Sequence, residues 1–271
     1  MPLIQVEDIK KSKKLLLLVD PYPEDNPYRM NDYEMQAIWF PKLSLPVIAA
    51  QTPTSWDVKI VDESRTIVRK DLVDQVIREW GPENIFVGIS TQMTCYTPRA
   101  YEIADQFRAR GVKVCLGGTH ATYCPEEARH HADTVVKFEA DDIWQNVIRD
   151  FEKGKLQSFY EMGPYPTMEH YPHPRIDLLP QGSYMTNQCV QTTRGCHFDC
   201  EFCSVSPFNG KNSRRRPVEE VIAEIQRIKE WRRSQLVDQM VRGPVWHRIG
   251  TTLRILTGIE DGTIFAFVDD L

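Results

Sequence analysis

Several things are missing from this 271-residue sequence, and each absence removes a class of function. No apolar run exceeds five residues, as at 15–19, far short of the roughly 20 that span a bilayer. No basic-plus-apolar leader opens the chain, so stable membrane insertion is not expected. Positive charge is not in excess. The 33 Lys and Arg face 38 Asp and Glu, and a net charge of -5 argues against a nucleic-acid or anionic-membrane surface. No Gly-x-Gly-x-x-Gly follows the first apolar run and no Gly-x-x-x-x-Gly-Lys occurs, which removes the usual nicotinamide and nucleoside-triphosphate sites. The seven cysteines are odd in number and are not spaced as a disulfide framework; they read as thiols of a reducing, cytoplasmic compartment. Internal repeats and low-complexity tracts are also lacking.

What is present is an alternation of short β-branched runs and amphipathic stretches over residues 13–150, the sequence form of a parallel α/β sheet. Strands are expected at 15–19, 58–61, 85–89, 112–116 and 134–136. Leu72, Val73, Val76, Ile77 and Trp80 trace one helical face, stopped by Gly81 and Pro82. A second helix takes Thr97 as N-cap and Pro98 in its first turn, and a third carries Ile143, Val147, Ile148 and Phe151. Five strands with crossover helices make a flavodoxin-like, doubly wound domain over 1–150. Ligands of such sheets sit beyond the carboxyl ends of the strands. Those ends hold Ser90, Thr91, Thr94, Gly117, Gly118, His120, Thr122 and Glu139, with little charge. Two readings stay open for them: a ligand site, or polar loops on a structural domain. His120 by itself is more often a hydrogen-bonded loop histidine than a ligand.

Residues 151–185 are rich in Pro and aromatics without a lasting period, and read as an extended connector. A second domain over 186–271 begins with an alternating run at 188–192. After Arg214, Arg215 and Arg216, read as a solvated run with a minority option of an arginine meeting a carboxylate or the neighbouring domain, comes a helix. Its face is Val218, Val221, Ile222, Ile225 and Ile228, and the pattern decays past Trp231. Residues 232–262 resist assignment; 263–268 form a strand running into Asp269 and Asp270.

Between those segments Cys196, Cys200 and Cys203 lie within eight residues, directly after Thr193, Arg194 and Gly195. Three thiolates on one short loop suit an iron–sulfur cluster, and since protein-held clusters usually take four, one iron stays open to a small molecule. A zinc site is the alternative. It wants four ligands, commonly as two spaced cysteine pairs, and only Cys189 or His197 could complete it, with awkward geometry. Metal-free reactive thiols are the third option.

The Cys-x-x-x-Cys-x-Phe-Cys pattern at a strand end resembles the signature of the radical S-adenosylmethionine superfamily, with Phe202 at the aromatic position before the last cysteine. The stretches 90–94, 97–101 and 116–122 resemble the cobalamin-binding domain of the B12-dependent subgroup. So do 214–224 and 265–270 for its partial (β/α) barrel. The resemblance implies a 4Fe–4S cluster on Cys196, Cys200 and Cys203, with S-adenosylmethionine chelating the open iron and cleaved reductively to a 5′-deoxyadenosyl radical. It implies Phe202 near the adenine, Asp269 and Asp270 lining the same cavity, and cobalamin on the sheet edge facing the cluster. Methyl transfer to, or cyclisation of, an unactivated carbon of a small-molecule substrate would follow, with a one-electron donor such as a flavodoxin or ferredoxin. The Asp-x-His-x-x-Gly motif that ligates cobalt in methionine-synthase-type domains is absent, so cobalamin would bind without a protein histidine. Only two strands and one helix are legible after 186, so the barrel is expected to be incomplete, the chain truncated and turnover not sustained. The alternatives are a non-catalytic cobalamin-binding module with a vestigial cluster loop, and a zinc-stabilised α/β protein.

Overall fold

The computed structural model describes residues 14–23, 40–65, 68–180, 184 and 189–242, with backbone only from 231 onward. The expected strand at 263–268, Asp269, Asp270 and the domain start at 186 lie outside the described residues.

Strands β1 (Leu15–Asp20), β2 (Asp57–Asp62), β3 (Ile85–Ser90), β4 (Lys113–Gly117), β5 (Thr134–Lys137) and β6 (Phe159–Glu161) form one sheet in the order β2-β1-β3-β4-β5-β6. Every pairing is parallel. Helices α1 (Ser44–Gln51), α2 (Lys70–Trp80), α3 (Thr97–Arg108), α4 (Thr119–Tyr123), α5 (Pro125–His131) and α6 (Trp144–Glu152) connect them. The central strands are buried on both faces, which is why they read as continuous apolar runs. Their alternation splits the core in two. Leu15, Leu17, Val19, Val87, Ile89 and Leu116 meet α2 and α3, while Leu16, Leu18, Phe86, Cys115 and Val136 meet α1 and α6. Phe86 stacks on both Trp144 and Phe151, at 6.1 and 4.6 Å between ring centroids.

The five expected strands are all present, but the sheet has a sixth. β6 falls inside the stretch read as a connector, and its three residues are too few to show a period. The rest of that stretch is strapped down. Arg175 N donates to Pro46 O, Leu179 and Tyr184 enter the α1–α6 core, and the Tyr184 hydroxyl donates to Asp62 at 2.5 Å. Thr97 is the first residue of α3, not its cap; Tyr96 precedes it, and the Thr97 hydroxyl points back to Met93 O.

Beyond the strap, β7 (Thr193–Arg194) pairs antiparallel with β8 (Arg214–Arg215), and the loop between them carries the three cysteines and α7 (Val205–Asn209). The expected strand at 188–192 is thus displaced by one short pair, since Cys189 to Thr192 make no ladder. Helix α8 runs Val218–Arg242, further than the decaying pattern suggested. Up to residue 230 its buried positions are Glu224 and Ile228, whereas Val218 and Ile222 face outward.

Candidate functional site

Because the sheet is parallel, the loops after β1, β3, β4 and β5 emerge on one edge. The strand order reverses between β1 and β3, the place where a crevice opens in such sheets. A cavity of about 230 Å³ occupies it. Its floor is Leu18, Gly88, Cys115, Gly117 and Val136; its walls include Lys42, Trp144, Glu139 and, from the cysteine segment, Arg194, Ser204 and Phe208. Gly88 and Gly117 keep the floor low. Gly118 has φ +107°, and a β-carbon there would sit 3.0 Å from Gln92 N, so any side chain would be both strained and crowded by backbone.

Of the eight sheet-edge residues named from sequence, Ser90, Gly117, Gly118 and Glu139 line the cavity. Thr91 and Thr122 brace the glycine turn behind it. Thr91 Oγ1 donates to Gly117 O at 2.9 Å and accepts from Ala121 N at 3.0 Å; Thr122 Oγ1 donates to Gly118 O and accepts from Phe138 N. Thr94 and His120 face each other outside the cavity, His120 Nδ1 lying 3.4 Å from Thr94 Oγ1. Phe138 itself has φ 62°, a costly conformation for a bulky residue, and its ring lies 6.0 Å from that of Phe208 in α7.

Glu139 holds the cysteine hairpin to the sheet edge. Arg194 Nη1 donates to Glu139 Oε2 at 3.0 Å and to Asp141 Oδ2 at 2.8 Å, while Arg214 donates to both Glu139 oxygens. Arg194 also stacks over Tyr171 and donates to its hydroxyl at 2.8 Å. Arg216, fully buried, pairs with Glu224 at 2.6 Å. Of the Arg run, then, only Arg215 is solvated; the minority reading holds for its two neighbours, because alternate residues of β8 turn inward. Arg194, Asp141 and Lys42 were not singled out from sequence.

At the opposite side of the sheet's mouth, burial pushes the Asp20 carboxyl above its ordinary value of 3.8; Lys42, 2.9 Å away, opposes the shift, and Asp62 and Glu63 add to it. A carboxyl raised on folding takes up its proton in the folded chain before the unfolded one does. Asp20 therefore adds stability as pH falls through its folded pKa, down to the ordinary carboxylate range. Asp20→Asn is expected to flatten that slope, checked by thermal melts across pH 4 to 7.

Gly195, at φ +87°, starts the cysteine loop, and a β-carbon there would collide with Asn212 O. Cys196 N donates to Gly210 O, Val205 N to Cys203 Sγ at 3.4 Å, and Ser206 Oγ to Phe198 O. Cys200 is exposed, Cys196 and Cys203 half-buried, and Phe202 is 93 % exposed. Among the described residues the three sulfurs do not gather to within 4.8 Å of one another. One tetrahedral zinc with 2.3 Å bonds would need them about 3.8 Å apart. A multi-iron cluster spreads its ligands over separate irons and makes no such demand, so the donor set and spacing fit the cluster better.

Residues 39–148 match the B12 binding domain family. The chain is 33% identical over 178 residues to bacteriochlorophyllide d C-8(2)-methyltransferase of Chlorobaculum tepidum, covering 64% of this chain and 37% of that protein. It is 25% identical over 234 residues to hopanoid C-2 methylase of Rhodopseudomonas palustris, covering 84% and 42%. Among solved structures, the radical S-adenosylmethionine methyltransferase TsrM of Kitasatospora setae, with cobalamin and a [4Fe-4S] cluster bound, shares the fold with a TM-score of 0.54 at 17% identity, over 78% of this chain and 46% of that one. The cobalamin-dependent S-adenosylmethionine radical enzyme OxsB does so with a TM-score of 0.57 at 15% identity, over 80% and 32%. The fold is thus that of a B12-binding α/β domain leading into a cysteine loop. The likeness to B12-dependent radical S-adenosylmethionine enzymes is borne out, with methyltransferases as the named relatives. The chain spans about a third to a half of the length of these proteins. No helix among the described residues is long and apolar enough to cross a membrane.

Proposed function

We propose that this chain supplies the cobalamin-binding and cluster-binding parts of a radical S-adenosylmethionine methyltransferase acting on a small molecule. One observation carries the reading: a single cavity is lined both by the carboxyl ends of β3, β4 and β5 and by the helix that closes the cysteine loop. A cofactor on the sheet edge would therefore face whatever the cysteines hold.

Ser90, Gly117, Gly118 and Glu139 would line the cobalamin site, with Thr91 and Thr122 fixing the glycine turn from behind. The Cys196, Cys200 and Cys203 thiolates would hold the 4Fe–4S cluster, which would offer an open iron to S-adenosylmethionine and, when reduced, the electron for its cleavage. The Val205 N–H bonded to Cys203 Sγ offsets charge on that sulfur, one of the means by which proteins tune cluster potential. Phe202, almost wholly exposed, is free to pack on an adenine. Phe138 and Phe208 pair beside the cavity and shed water from the path between the two sites. Asp269 and Asp270 keep their proposed place in the S-adenosylmethionine wall. The second domain would start at 186 as proposed, while the first, proposed to end at 150, would run on through the end of α6, β6 and the strap.

Anaerobic reconstitution with iron and sulfide tests this directly. The expected result is about four irons per chain, with broad brown absorbance, and co-retention of hydroxocobalamin. Cys200→Ala is expected to lose most of the iron while keeping the corrinoid. Equimolar zinc without colour would favour the zinc-stabilised protein, and corrinoid without iron the non-catalytic module.

A further inference from the structure

A second cluster of metal-type donors lies outside the cavity. His120, Cys124 and Glu127 each offer one ligand atom, and these atoms all lie within 4.8 Å of one another. None of the three lines the cavity.

The local chain explains the convergence. His120 and Cys124 are one helical turn apart, Cys124 N donating to His120 O at 2.8 Å, so both side chains leave the same face of α4 and its end. The chain then turns at Pro125 into α5, whose first turn brings Glu127 over that face. His120 Nε2 stands 3.3 Å from Glu127 Oε1. Two donors about 2.1 Å from one tetrahedral zinc are about 3.4 Å apart, so this pair already has the edge length of such a site. Thr94 Oγ1 meets the other ring nitrogen at 3.4 Å, the kind of outer contact that orients a ligating imidazole.

An independent observation points to the same spot. The Tyr101 side chain is nine-tenths buried and its hydroxyl completes no hydrogen bond of normal geometry. It sits beside Glu127 and Cys124. Its ring is held between His120, edge-on at 6.2 Å, and His131, stacked at 4.1 Å. His131 is itself committed to Asp105 at 2.8 Å, which leaves three protein donors, with the Tyr101 oxygen beside them.

We propose that His120, Cys124 and Glu127 bind a single divalent cation of the zinc class. The donor set is one imidazole, one thiolate and one carboxylate, and Glu127 is exposed, giving the ion a way in. Closing the triad ties α4 to α5 and so stiffens the Gly117 and Gly118 turn that floors the cavity. The site does not depend on the cofactor reading above.

The test uses the full chain with Cys196, Cys200 and Cys203 replaced by alanine, so that the loop cannot contribute metal. The expected result is one zinc per chain retained after desalting, and with inorganic Co²⁺ a cobalt–thiolate charge-transfer band. Cys124→Ser is expected to abolish the band and His120→Ala to weaken zinc affinity by at least about 100-fold, since outer-sphere losses alone cost 10- to 100-fold. Cys95→Ser is expected to change neither. Absence of the band in the parent chain, which needs no further variant to fold, overturns the proposal. So does zinc retention unaffected by Cys124→Ser.

Discussion

Glu139→Ala is expected to detach the cysteine hairpin from the sheet edge while leaving the α/β core folded. The carboxylate is buried and receives both Arg194 and Arg214, each mostly shielded from water. Removing one partner of a buried ion pair costs about 3 to 5 kcal/mol, because the remaining charge stays desolvated. Here two guanidinium groups would lose a carboxylate; Arg194 keeps Asp141, whereas Arg214 keeps only the neutral carbonyls of Pro166 and Asn209. The relief is for the hairpin to swing into solvent. Hydrogen exchange should show rapid labelling across 193–216 with 15–20 and 85–90 still protected. Unchanged protection of 193–216 would mean the hairpin is held by packing through Tyr171 and Phe208 instead.

The second large effect is expected inside the α/β domain. Glu63, fully buried, accepts from Tyr22 N, Val68 N and both Nε and Nη2 of Arg99, the last at 2.7 Å. These bonds join the loops after β1 and β2 to α3. The hydrogen bond that Arg99 donates to Glu63 is the main reason the Arg99 pKa lies above its ordinary value. Glu63→Ala strands two backbone donors and leaves the buried guanidinium with only the exposed Glu102 carboxylate and the Val68 carbonyl, so a global loss of about 3 to 5 kcal/mol is expected. Urea denaturation measures it. Glu63→Gln keeps the acceptor but not the charge, and should fall between. A double variant, Glu63→Leu with Arg99→Met, is expected to recover much of the loss, since a well-packed apolar pair avoids the desolvation cost.

How much of this was legible in the sequence follows from range. The five long strands and helices α2, α3 and α6 announced themselves because their burial has a period the chain repeats locally. Helix α1 did not: it is short, apolar on all sides and carries Pro46, so no face stands out. Strand β6 owes its existence to β5, not to its own three residues. The cysteine loop was legible as chemistry because ligand spacing is local. The partition of the sheet-edge residues was not. Whether His120 faces the crevice or α5 depends on the direction of a five-residue helix, α4, that only the tertiary structure fixes. Likewise the fate of Arg194 and Arg214 depended on a carboxylate more than fifty residues away.

The stretch after α6 was expected to behave as a spacer, and its anchorage gives it another role. Between β6 and Tyr184 the chain is fastened at the sheet edge, at Pro46, in the α1–α6 core and at Asp62. The hairpin is therefore delivered from a fixed point, Tyr184, nine residues before β7. Its local concentration at the crevice is high before any of its own contacts form, in the way a short linker raises that of a second binding module. The ion pairs on Glu139 then need only select the orientation of the cysteines, and a single cut between the exposed Gly163 and Pro164 would leave two pieces still bound to each other.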